Sequence, residues 1–208
     1  MRAGPPGRVA WHPSRSASRK TWTGASKRDG ATWAQVPVVA RVVAVPDADQ
    51  TPEFISGTAS GLPAELQYAR RLAENGCQVI VPTLISRSDQ FSGSPLLNRY
   101  TNQPHREWIY RQAFVLGRHI IGYEVQKILS AVDWLTKENK ERPVAIGVVG
   151  WGEGGLLAFY SAALDTRIDS VLVSGYYNRR EDVWEEPIYR NLFGLLNEFG
   201  DAEIARLI

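Results

Sequence analysis

Four short runs of β-branched and aliphatic residues, separated by helical stretches, constrain this chain more than any other feature. The first is Val38-Val39-Ala40-Arg41-Val42-Val43-Ala44-Val45, stopped by Pro46. The second covers residues 77–82 and ends at Pro82. The third is Val144-Ala145-Ile146-Gly147-Val148-Val149, and the fourth is Ser170-Val171-Leu172-Val173-Ser174-Gly175. Such runs are apolar on both strand faces, which is the pattern of strands covered by helices on either side. Between them the period changes. Residues 63–75 put Leu66, Ala69, Leu72 and Ala73 on one helical face, with Gly76 just past the end. Ile121, Val125, Ile128, Val132 and Leu135 form a longer amphipathic stripe. Residues 154–164 and a stretch starting near Asp201 also read as helical. Residues 46–53 and 86–104 read as loops, and the segment after 175 as irregular and aromatic. The alternation implies an α/β fold, a mainly parallel sheet with helices on both faces.

Charge divides the chain in two. Residues 1–35 hold seven basic residues and one acid, Asp29, whereas the remainder holds seventeen basic and twenty-one acidic residues. The net charge of +2 therefore belongs to a tail and not to a face of the body. This gives an expected division into a basic, disordered tail over 1–36 and a folded domain over 37–208. Nucleic-acid binding by the body is not expected. No apolar stretch approaches membrane-spanning length, and no secretory signal follows Met1. A cytoplasmic location is the default that follows. The single cysteine, Cys77, opens an apolar strand and reads as a buried structural thiol. His12, His105 and His119 lack metal-ligand spacing, and neither a metal nor a cofactor is expected.

The hexapeptide Gly150-Trp151-Gly152-Glu153-Gly154-Gly155 lies between the third strand and a helix. Two turns fit that context. One is the nucleophile elbow, G-x-S-x-G, in which a strained central residue sits between small neighbours because strand and helix nearly touch. Gly150 and Gly154 then flank the corner, and Gly152 stands where the nucleophile belongs. The other is the dinucleotide loop G-x-G-x-x-G, matched by Gly150, Gly152 and Gly155. Its usual companion, an acid at the end of the next strand, is missing from Val173-Ser174-Gly175-Tyr176-Tyr177. The elbow is the better match.

From Val144 to Ala163, and in the helix Gly122 to Leu135, the chain resembles the α/β-hydrolase superfamily, more narrowly its dienelactone-hydrolase and acetyl-xylan-esterase-like branch. The resemblance covers roughly 38–208. It implies an elbow of Gly150, Trp151, Gly152, Glu153 and Gly154, and an oxyanion loop at Asp47, Ala48 and Asp49, where the family supplies a backbone N–H. It also implies a serine nucleophile, a later acid and a later histidine, in that order. Here residue 152 is glycine, and no histidine follows His119. The domain is thus expected to lack the family's C-terminal part.

Glu153 and His105 are the substitutes that come closest to catalytic groups. Glu153 would sit at a helix N-terminus, which stabilises its anion and weakens it as a nucleophile. His105 reads as a structural residue at a helix start. Asp47, Asp49 and Glu53 share a loop in which a simple turn accounts for them. The function expected is a hydrolase-like domain without conventional ester-hydrolase activity. The alternatives are a fragment of an active carboxylic-ester hydrolase or a dinucleotide-binding protein. Expected partners are a small ester-like ligand and a second copy or partner covering the sheet edge at 170–175. Residues 184–199 could themselves cover part of that edge.

Overall fold

In the computed structural model, residues 37–90 and 92–208 are described, together with Thr21–Trp22, Lys27–Asp29 and Thr32–Ala34. Four parallel strands form the body of the sheet. They are β1 (Ala40–Val45), β2 (Cys77–Ile80), β3 (Ile146–Trp151) and β4 (Ser170–Ser174). Their order is β2-β1-β3-β4, and every adjacent pair is parallel. Val43 of β1 lies opposite Ile80 of β2 and Val148 of β3, so the middle of the sheet is in register.

The strands bury both faces, as double coverage by helices requires. On one face Val43, Val45, Ile80, Ile146 and Val148 pack with α4 (Ile120–Glu138) and α5 (Glu153–Leu164). On the other, Val42, Ala44, Val79 and Cys77 pack with Ala69 and Ala73 of α2 (Tyr68–Glu74) and with Ile55. The α4 stripe is buried as its spacing predicts, from Ile121 through Leu135. His119 caps this helix, its Nδ1 accepting the Ile121 N–H at 3.2 Å. Helix α5 is buried almost all round, with Leu156, Leu157 and Ala158 at zero exposure. Burial pushes the Cys77 thiol pKa up, consistent with a structural role.

Several local expectations change. The helix over 63–75 is broken into a 3-10 turn at Ala64–Leu66 and α2, because buried Gln67 turns out of helical geometry and donates to the Leu62 carbonyl at 2.8 Å. The loop over 46–53 runs into a one-turn helix, α1 (Pro52–Ile55), started by its proline. The loop over 86–104 contains a small hairpin of Gly93–Ser94 with Arg99–Tyr100. The helical region ahead of β3 is two helices, with α3 (His105–Val115) preceding α4. Most of the tail lies outside the described residues, yet strand pieces occur where none was expected. Thr21–Trp22 adds antiparallel to the outer side of β2, and Lys27–Asp29 pairs with Thr32–Ala34. No described helix is long and apolar enough to cross a membrane.

Residues 184–199 do not bury the β4 edge. Tyr189 is drawn inward by arginines at the site, and Leu192 and Leu195 pack against the α4–α5 core. Trp184 and Phe193 stay 76% and 97% exposed, and Leu172 at the edge stays 58% exposed.

Candidate functional site

The corner between β3 and α5 is built by glycines. Gly152 has φ +57° and ψ −118°, a conformation that side chains with a Cβ rarely adopt. Its neighbours are small because backbone passes against backbone. A Cβ on Gly150 would run into the Gly154 carbonyl oxygen, and one on Gly154 into the Val45 carbonyl oxygen. The end of β1 and the start of α5 are thus pressed together around residue 152.

The side chain that fills the corner is Asp47, from the loop after β1. Its Oδ1 accepts the Glu153 N–H at 2.8 Å. A Cβ added to Gly152 would lie 2.6 Å from the same oxygen. Arg87 grips this carboxylate with both terminal nitrogens, at 2.7 Å to Oδ2 and 3.1 Å to Oδ1, and reaches Asp49 at 2.7 Å. Burial opposes ionisation of Asp47. The Arg87 hydrogen bonds and charge, with the backbone N–H groups of Glu153 and Ala48, outweigh it and hold the carboxyl below the usual carboxylate range. Burial also opposes the charge on Arg87. Its bonds to Asp47, Tyr189 and Asp49 more than compensate and raise its pKa.

Glu153, next to the corner, is completely buried and surrounded by guanidinium groups. Its Oε2 accepts from Arg190 at 3.0 Å and from Arg87 at 3.2 Å, while Oε1 lies 3.3 Å from Arg106. Arg106 in turn makes a two-pronged, fully buried pair with Glu124 of α4, at 2.9 and 2.7 Å. Its guanidinium carbon stands 4.9 Å from the Tyr189 ring centre, and the Tyr189 hydroxyl accepts from Arg87 at 3.1 Å. Guanidinium groups thus face both oxygens of this carboxyl group. His105 opens α3 beside Arg106, with its backbone N–H donating to Ser88 at 2.8 Å.

Asp47, Ala48, Asp49, Gly152 and Glu153 of the sequence reading therefore come together at one place. Arg87, Arg106, Arg190, Tyr189 and Glu124 were missed. One of them left a trace. Glu124 occupies the apolar side of the amphipathic helix α4, where a charge requires a buried partner, whereas Arg106 lies on a helix with no clear apolar face to flag it. Arg87 and Arg190 lie in irregular segments with no period to flag them. A dinucleotide phosphate at the α5 N-terminus would have to contend with the Asp47 carboxylate for the Glu153 N–H.

YtaP of Bacillus subtilis (strain 168), named as a hydrolase, is 35% identical over 60 residues, covering 29% of this chain and 20% of YtaP. A Bacteroides fragilis protein named as an acetyl xylan esterase aligns at 15% identity and TM-score 0.49, covering 76% of this chain and 40% of that one. A cold-adapted esterase from an Arctic intertidal metagenomic library aligns at 17% identity and TM-score 0.42, covering 79% and 63%. The chain spans less than two thirds of the length of each. The profile of the Dienelactone hydrolase family matches residues 44–188, and the chain belongs to that family.

Proposed function

We propose that this chain is a non-hydrolytic member of its family, one that works by binding in the hollow beside the old catalytic corner rather than by acyl transfer. The observation that carries this reading is the occupant of that corner. Residue 152 has no side chain, and the space a side chain would enter is held by Asp47. Acyl transfer needs a nucleophile and a base to remove its proton. Glu153, the nearest acid in sequence, is engaged by three arginines. A hollow of about 400 Å³ beside Arg87, lined by Ala48, Gln50, Thr51, Thr83 and Ser86, offers a polar niche for a small ester-like ligand.

The test is an assay of the purified chain on short acyl esters. Release at the rate of the protein-free blank is expected. Hydrolysis above the blank by the native chain would overturn the reading, whether or not it survives substitution of both Glu153 and His105.

A second reading is favoured by the partial coverage of the relatives: that these residues are part of an active carboxylic-ester hydrolase, completed by sequence outside them. Joining the chain to any in-frame downstream sequence that carries an acid and a histidine, then repeating the assay, separates the two. Turnover only in the longer protein would favour the second.

A further inference from the structure

The corner at residue 152 holds a carboxylate, and that carboxylate belongs to the chain itself. Its donors arrive from two separate segments. The Glu153 N–H comes from the first turn of α5, a helix of twelve residues. The forked guanidinium of Arg87 comes from the loop after β2. The Glu153 N–H is backbone, and the close glycine packing fixes it in place. A planar anion with two oxygens suits such a set, because the fork satisfies both oxygens while the amide takes a further lone pair. Arg87 is one-quarter exposed and lines the adjoining hollow, so a route from solvent exists. The cluster already sets four carboxylates (Asp47, Asp49, Glu124 and Glu153) against three guanidinium groups (Arg87, Arg106 and Arg190). A further anion has therefore to replace one of the four, not join them.

We propose that this corner is a receptor for a small monocarboxylate, with the Asp47 side chain as its built-in occupant, and that it accepts a free carboxylate once that side chain is removed. The inference deepens the non-hydrolytic reading above. A substrate carbonyl is refused not only for want of a nucleophile but because the Glu153 N–H is already engaged.

The test is Asp47→Ala in the full chain, melted in sodium formate or acetate and in sodium chloride at the same ionic strength. In chloride the variant is expected to melt several degrees below the native chain. Formate is expected to restore most of that loss saturably, while leaving the native chain unchanged. Titration of formate, followed by line broadening of its carbon-13 signal, should show saturable binding to Asp47→Ala and none to Asp47→Ala/Arg87→Gln. Asp47→Asn keeps the shape of the occupant and is expected to fold and ignore formate. Several results would overturn the proposal: equal recovery in chloride, no recovery in formate, an Ala variant that stays unfolded in both salts, or formate binding to Asp47→Asn as strong as to Asp47→Ala. Ester turnover is not read here. Failure of formate binding leaves the non-hydrolytic reading standing, and ester turnover by the native chain would sink that reading without touching this one.

Discussion

Arg106 and Glu124 form a two-pronged ion pair in which neither side chain has any exposed surface. The pair joins α3 to α4, and Arg106 passes the charge on to Glu153 at 3.3 Å. Taking both groups out of water is costly, so the pair contributes little net stability but fixes orientation. Breaking it is another matter, because the partner left behind is a buried, unpaired charge.

Arg106→Met is therefore expected to destabilise the chain by about 3–5 kcal/mol, read from urea unfolding. Arg106→Met/Glu124→Leu should recover a large part of the loss, since both charges are gone. Losses that simply add in the double variant would show that the two residues are not coupled.

Restoring a hydroxyl at the corner is expected to cost stability and give no turnover. Gly152→Ser must adopt φ +57°, and its Cβ would lie 2.6 Å from the Asp47 oxygen. Backbone strain alone is worth roughly 1–3 kcal/mol. If Asp47 is the obstacle, Gly152→Ser in an Asp47→Ala background should cost less than in the native chain. A double-mutant cycle on unfolding free energy reads that coupling, and an additive result removes Asp47 from the account.

The strands and the α4 stripe were legible because burial imposes a period, and a period can be read from one sequence. Residue 152 was legible for a related reason: only small residues fit where the β1 end and α5 nearly touch, so the glycines mark the bend. The occupant of the bend was not legible. Asp47 reads as an ordinary turn acid, and nothing local reveals that Arg87, forty positions away, holds it against the Glu153 amide. The broken helix at Gln67 and the inward turn of Tyr189 were hidden for the same cause, since side-chain bonds across the chain overrode local preference.

Asp47 also predicts an acid limb. Its folded pKa lies below the usual carboxylate value, so the unfolded chain takes up this proton first as pH falls. The stability it contributes is complete above the unfolded value of about 4 and disappears as pH drops through the lower folded value. Asp47→Asn is expected to be less stable than the native chain at neutral pH, with the difference shrinking below about pH 4. Urea midpoints measured across that range check it, and a difference that stays constant with pH would exclude a titrating Asp47.

The β4 edge makes the last prediction. Among the described residues no strand pairs with the outer side of β4, and Ser170–Ser174 carries neither charge nor proline. Natural edges are usually blunted by one or the other, because open N–H and C=O groups template pairing with another chain. Leu172 is 58% exposed there, beside a hollow of about 450 Å³ lined by Tyr68, Leu72, Val149 and Trp151. A second copy or a partner chain pairing along β4 would cover the strand and the hollow together. The native chain is accordingly expected to self-associate with rising concentration. Leu172→Lys is expected to remain monomeric with an unchanged melting temperature, since the side chain it replaces is not part of the core. Light scattering on a sizing column reads both. Equal masses for the two proteins at every concentration would mean that self-pairing does not run through this edge.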